Sequence, residues 1–333
     1  MVKVAIAGAS GKLALEVIDR LAKTGKHEIL GLVRKDPSSL PSFPGVTWVQ
    51  TTYQDKADLV RILNGTQTVI SFIVAHTDPE AETAKRLIDA SIEAGVQRFA
   101  PSEWATGALL EKVVEYVPWY ANKLEVKRYL EEVNKDKKVI EYTLFQPGAF
   151  MNFFAYPHQT AKHYPIENPS FFDFDKGTAY ILEGSETAEV TLTTVEDIAE
   201  VTTRAVEYAG EWPVVGGISG QRITVGELLK LGEKIRGSKS LTERPKGKTF
   251  EVDRLKLEDL KAGIVKTNFI PPLNLPGMSP EELAGFTKVV TIGVTVSLAR
   301  DAWAVSDEWN QLLPDFQPTR IEEYLERVWG GVQ

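Results

Sequence analysis

The sequence contains no cysteine, only four histidines and three methionines, and fewer basic than acidic residues, 38 against 46. Zero cysteines exclude disulfides, thiolate catalysis and cysteine-based metal sites. With only His27, His76, His158 and His163 available, a histidine-rich site is disfavoured and no metal is expected. The formal net charge of -8 argues against nucleic acid as a partner, because contacting many phosphates needs a basic face. No apolar run approaches the ~20 residues needed to cross a bilayer, so no membrane association is expected. The chain opens on the pattern of a core strand rather than of a signal peptide, and a cytoplasmic protein is the expectation. Its 333 residues, 43% hydrophobic and 25% charged, suffice for one large or two fused globular domains.

What is present is concentrated first in the stretch from Val2 to Leu21. An apolar run, Val2, Val4, Ala5, Ile6 and Ala7, has the length and β-branched content of a buried parallel strand. It breaks at Gly8 into a turn that opens a helix. Leu13, Val17 and Leu21 recur every fourth residue, and Gly25 stops that helix. Glycines at such a junction let main chain approach a diphosphate, and the free N–H groups and positive end of the helix stabilise its charge. The spacing is Gly8-x-x-Gly11-x-x-Ala14, with alanine at the small, helix-packing position. A second strand, Ile29 to Val33, ends in Arg34-Lys35. An acidic residue there would suit ribose hydroxyls, whereas arginine pairs with a 2′-phosphate. NADPH is therefore preferred over NADH, although a solvated loop after a strand has the same composition.

Strand and helix patterns then alternate. They predict a strand at Val46 to Thr51, a helix at Lys56 to Leu63, a strand at Thr68 to Val74, and a helix entered through Asp78-Pro79-Glu80 and ending at Gly95. A fifth strand at Val96 to Ala100, a helix over Tyr120 to Val133 and a sixth strand at Val139 to Phe145 follow. Repeated βα units predict an α/β fold, a Rossmann-type doubly wound parallel sheet whose ligand lies at the carboxyl ends of the strands. Residues 1–152 are expected to form this nucleotide-binding domain. Residues 153–333 should form a smaller C-terminal substrate-binding region, with about 190–210 packing back on the sheet. Aromatics crowd the start of that region, and Phe150, Phe153 and Phe154 are candidate pocket walls, since small-molecule pockets are mainly apolar. His158 lies among them. Ser170 to Asp175, the basic stretch Lys239 to Lys248, and the proline-rich stretch from Ile270 to Gly277 read as loops, the last being barred from helix or central strand. Val195 to Ala199 opens a helix, Ile223 to Leu228 is a strand end capping another, and Arg320 to Val328 is an amphipathic helix.

Taken together, Gly8-Ala9-Ser10-Gly11, Val33-Arg34, Val96 to Trp104 (V-Q-R-F-A-P-S-E-W), Lys123 to Arg128 (K-L-E-V-K-R) and Tyr142 to Phe150 (Y-T-L-F-Q-P-G-A-F) resemble the NmrA-like family of atypical short-chain dehydrogenases/reductases. The likeness is to its isoflavone reductase/phenylcoumaran benzylic ether reductase-like branch. The resemblance implies NADPH along the first strand ends, with Gly8, Ser10, Gly11, Lys12, Leu13, Arg34, Lys35, Ser71, Phe72, Ser102, Lys123, Gln146 and Pro147 as its expected binding set. It also implies a catalytic lysine at the nicotinamide, which the motif places at Lys123. Delivering hydride to a carbonyl, enone or quinone-methide-like carbon builds negative charge on oxygen, which an ammonium neutralises. The usual Tyr-x-x-x-Lys pair is missing. Trp119 occupies the tyrosine position, Tyr120 stands three residues before Lys123 and Tyr116 seven before. The branch relies on lysine without that tyrosine, and Tyr120 stays as an assisting candidate.

Ser102 and Glu103 can orient the ribose, Lys123 or the substrate, while Ser102 can equally just cap a turn. Glu103, Trp104, Phe150, Phe153, Phe154 and His158 form the expected substrate-binding set. The expected function is an NADPH-dependent reductase of a small aromatic or secondary-metabolite molecule, with a homodimer as a possible assembly. Two alternatives remain open from sequence: a cofactor-sensing regulator without turnover, and a non-redox isomerase, dehydratase or cyclase in the same pocket.

Overall fold

The apolar runs of the first half become six parallel strands: β1 (Val2–Ala7), β2 (His27–Val33), β3 (Val46–Gln50), β4 (Thr68–Ser71), β5 (Arg98–Ala100) and β6 (Glu141–Tyr142). A computed structural model, describing residues 1–237, 251–271, 273 and 278–330, orders them β3-β2-β1-β4-β5-β6. The connections carry α1 (Lys12–Thr24), α2 (Lys56–Leu63), α3 (Glu82–Glu93) and α4 (Ala121–Val133). Because successive residues of a strand face opposite sides, β1 serves two layers. Val4 and Ile6 pack with Val17, Ile18 and Leu21 of α1. Ala5 and Ala7 pack with Leu59 and Leu63 of α2 and Leu87 and Ile88 of α3. Burial on both faces explains why these strands read as continuous apolar runs rather than alternating ones. The strand order reverses between β1 and β4, which opens a crevice above their carboxyl ends.

Several expected boundaries shift, and the fifth strand starts at Arg98 rather than Val96. Strand β4 stops at Ser71 rather than Val74. The helix expected from Asp78 starts at Glu82, because Glu80 and Ala81 take left-handed φ of 54° and 57°. Asp78 still caps it, accepting from the N–H groups of Thr83 and Ala84 at 2.8 and 3.0 Å. The sixth strand changes partner midway. Pro101 follows the last residue of β5 and has no N–H to continue the ladder, so beyond Thr143 the chain continues as β7 (Leu144–Gln146), paired in parallel with β12 (Val215–Gly217).

The second half contributes β8 (Ala149–Phe150), β9 (Phe172–Asp173), β10 (Thr178–Leu182), β11 (Glu189–Thr193), β13 (Gln221–Thr224) and β14 (Glu251–Leu255). They form two further sheets, β14-β10-β9 and β13-β11-β8. Its helices are α5 (Val195–Glu207), α6 (Val225–Gly237), α7 (Leu257–Lys261), α8 (Pro280–Ala299), α9 (Glu308–Leu312) and α10 (Ile321–Trp329). Val195, Ile198 and Val201 of α5, and Trp309 of α9, lie in the same core as β1 and α1. A second core gathers Phe154, Phe171, Phe172, Phe174, Tyr180, Leu228 and Trp329. The expected loop at Ser170 to Asp175 is thereby corrected: Phe172 and Asp173 pair with β10, and Phe171, Phe172 and Phe174 are buried. The expected loop at Lys239 to Lys248, together with Pro272 and residues 274–277, lies outside the described residues. Among the described residues no helix is long and apolar enough to cross a membrane.

Candidate functional site: a cleft and a cavity meeting at Tyr120

The opening turn is built for close approach. Gly8 has φ of +68°, and a Cβ there would lie 2.8 Å from the carbonyl carbon of Phe72, so a side chain would push β1 away from the end of β4. Gly11 N donates to Gly8 O at 3.0 Å, and Ala14 is fully buried. Tyr53, which the sequence pattern did not single out, locks the turn: its hydroxyl accepts from Gly8 N at 2.9 Å and donates to Leu32 O at 2.7 Å. Burial pushes that phenol up to about 12, so it stays protonated and able to donate. The first-turn N–H groups of α1, from Lys12 onward, have no partners within their own helix and face the crevice. Lys12 Nζ sits 2.5 Å from the Glu167 carboxylate, a chain crossing above the turn. Arg34 and Lys35 are exposed at the end of β2. A turn of this shape, a free helix N-terminus and an arginine at the second strand end fit a phosphorylated dinucleotide.

From Gly11, Lys12, Leu13 and Ala14 a cleft of about 440 Å³ runs past Phe72 and Ser102 to Trp119, Tyr120, Lys123 and Tyr164. Lys123, on the first turn of α4, is only 7% exposed. Its Nζ donates to the main-chain oxygen of Glu103 and lies 4.3 Å from the centre of the Tyr120 ring. Burial pulls this ammonium down to about 8, against the opposing pull of Glu103. Burial pushes the Tyr120 phenol up to about 12. His76 also lines the cleft, and burial holds it below its usual value.

A second cavity, of about 270 Å³, opens beside the first and shares Trp104, Tyr120, Phe150 and Tyr164 with it. Its remaining walls include Phe153, Phe171 and Tyr180 together with Thr287, Thr291 and Val294 of α8 and Trp303. Among the described residues none of its walls is an Asp, Glu, Lys, Arg or His. Such a space favours an uncharged apolar guest, since an ion entering it would lose its hydration without gaining a partner.

The expected site residues divide. Gly11, Lys12, Leu13, Phe72, Ser102 and Lys123 line the cleft, Gly8 and Ser10 form its turn, and Trp104, Phe150 and Phe153 line the cavity. Six of the expected residues need correction. Phe154 is 1% exposed and packs edge-on to Phe171, so it belongs to the core rather than the cavity. His158 packs 4.7 Å from the Trp329 ring beside a separate polar groove. Gln146 and Pro147 are buried beneath the cleft: the Gln146 side chain hydrogen-bonds the Glu103 carboxylate, and Pro147 O accepts from Thr193. Ser71 is 3% exposed, and its carbonyl is taken by Trp104 Nε1 at 2.8 Å. Glu103 borders the cleft, not the apolar cavity. Helix α8 and Tyr164 were missed, although Ser279-Pro280-x-Glu282 spells a capping box, which the structure forms.

Six parallel strands in this order, with a glycine turn at the first carboxyl end, define a Rossmann-type protein. The sequence matches the NmrA-like family over residues 2–325, and the chain belongs to that family. It is 26% identical to "Oxidoreductase BOA1" of Botryotinia fuckeliana over 248 residues, 74% of this chain and 79% of that protein. Among solved structures it resembles an NADPH-dependent quinone oxidoreductase, QOR2, of Escherichia coli in complex with NADPH, with TM-score 0.65 and 19% identity over 98% of this chain and 99% of that one. It also resembles AtPrR2 with NADP+ and (+)pinoresinol, with TM-score 0.67 and 19% identity over 98% of each chain.

Proposed function

We propose that this protein is an NADPH-dependent oxidoreductase acting on a small, uncharged, aromatic or conjugated molecule of enone, ketone or benzylic ether type. The observation that carries the reading is the position of Lys123, a buried ammonium lining the cleft and 4.3 Å from the ring of Tyr120, which the cleft shares with the apolar cavity. The turn from Gly8 to Leu13 would hold the pyrophosphate, and Arg34 the 2′-phosphate. When bound, the cofactor supplies hydride from its dihydronicotinamide. Lys123 presents a proton at Nζ to the substrate oxygen as negative charge gathers there, in surroundings where burial makes that charge pairing strong. Tyr120, held protonated, stacks beneath Nζ and separates it from bulk water. Trp104, Phe150 and Tyr164 orient a flat ring across the seam. A relative named as an oxidoreductase, and structural neighbours that are an NADPH-dependent quinone oxidoreductase and a protein solved with NADP+ and (+)pinoresinol, support the same class.

The test is a calorimetric titration with NADPH, followed by a panel of quinones, enones, ketones and benzylic ethers assayed for loss of reduced-nicotinamide absorbance. One NADPH site per chain and oxidation dependent on an uncharged aromatic substrate are expected. Binding without oxidation across the panel would favour a sensor, conversion without oxidation would favour isomerase chemistry, and no binding would overturn the reading.

A further inference from the structure

Beneath Lys123 the ends of three strands are tied together by one residue. Trp104 takes φ of +38°, a strained conformation for a bulky side chain that persists only where its surroundings enforce it. They do so here from both sides. Its ring is stacked between Phe72 and Phe145, with centroids 4.5 and 5.1 Å away. Its N–H donates to Phe145 O at 3.0 Å, and Nε1 to Ser71 O at 2.8 Å. The preceding peptide is thereby fixed, and its carbonyl, that of Glu103, receives the Lys123 ammonium. The Glu103 side chain is itself 4% exposed, held by Gln146, and faces the same small crevice as Lys123. A carboxylate this deep, at the border of the cleft and outside the apolar cavity, needs a charge to answer.

We propose that Glu103 is a positioning residue for Lys123: its clamped carbonyl holds the ammonium at the cleft, beside the Tyr120 ring that cleft and cavity share, and its buried carboxylate lines the same small crevice as that ammonium. The inference rests on the proposed role of Lys123 in the reaction. The other charged or titratable groups facing the pair do not take over this task. Asp78 is engaged in capping α3. His76 is held in its neutral form by burial, and Tyr120 keeps its proton to about 12. Burial pushes the Glu103 carboxyl up, and Lys123, Gln146 and Lys127, the last one turn further along α4, pull it back toward the ionised form. Burial pulls Lys123 down to about 8, with Glu103 opposing that pull.

The experiment compares wild type with Glu103→Gln and Glu103→Asp. It reads the pH dependence of kcat/KM and, separately, the Lys123 titration by carbon NMR of the cofactor-free protein, with NADPH affinity as the check on folding. Removing a close opposite charge is expected to move the alkaline limb, and the NMR titration, down by about one pH unit; Asp restores most of it. An unmoved NMR titration in Glu103→Gln with NADPH affinity retained overturns the proposal, as does Asp behaving like Gln. A moved NMR titration beside an unmoved activity profile upholds the coupling and instead faults the role of Lys123 in turnover. If Glu103→Gln does not fold, the wild-type Glu103 carboxyl resonance decides: it must shift as Lys123 loses its proton, and no shift overturns the proposal.

Discussion

The cleft above the parallel sheet is lined by residues at the N-termini of α1 and α4 and by the segments that follow β4 and β5, whereas the neighbouring cavity is lined by residues of α8 and of the chain around Tyr164 and Phe171. Strand ends are tied into the sheet by ladders and by bridges such as Tyr53, which joins β1 to β2. They can place a phosphate or an ammonium to within a fraction of an ångström. Walls made of Val294, Thr291 and Phe153 are set by helix packing and can change shape by substitution without disturbing the sheet. On the proposed reading, the invariant partner, the cofactor, takes the first space and the variable one, the substrate, the second. Lys123 belongs to the rigid side and reaches to the border of the adaptable one.

The contrast can be broken from either side. The largest effect is expected at Arg34→Glu, which replaces by an anion the cation proposed to face the 2′-phosphate. NADPH affinity should fall by roughly 100-fold, as for a lost charge-assisted contact with added repulsion, while NADH changes by only a few-fold in the same titration. Equal losses for both cofactors would remove the 2′-phosphate contact. A smaller effect is expected at Val294→Phe, which fills part of the 270 Å³ cavity. KM for an aromatic substrate should rise about tenfold, the effect of losing a well-packed contact of about 1.4 kcal/mol, with NADPH affinity unchanged. If NADPH affinity moved as well, the two spaces would not be separable.

The same contrast governs how much could be read from sequence. The βα alternation was legible because strands buried on both faces are uninterrupted apolar runs, and because Gly8 and Gly11 mark a turn that only small residues permit. Helix α8 was not. Its Val, Thr, Ile and Gly content from Thr287 to Ser297 has the bias of a strand, and it is contacted on several sides, so no single apolar stripe shows its period. Local pattern also cannot distinguish Phe150 and Phe153, which line the cavity, from Phe154, which is in the core; that depends on how the chain turns after β8. His158 was misplaced for the same reason. Gln146 and Pro147 lie at the end of a strand, but the strand end they occupy is covered by Glu103 and Thr193, contacts made across the fold. Tyr53 gave no signal because its role depends on a bridge 45 residues away to Gly8.

The measurement that bears most directly on the account is turnover by Lys123→Ala beside its affinity for NADPH. A group neutralising charge only as the reaction proceeds contributes to kcat and little to cofactor binding. The account predicts that kcat falls by about 1,000-fold while the NADPH dissociation constant stays within a few-fold of wild type. Turnover close to wild type in that variant, with NADPH still bound, would contradict it.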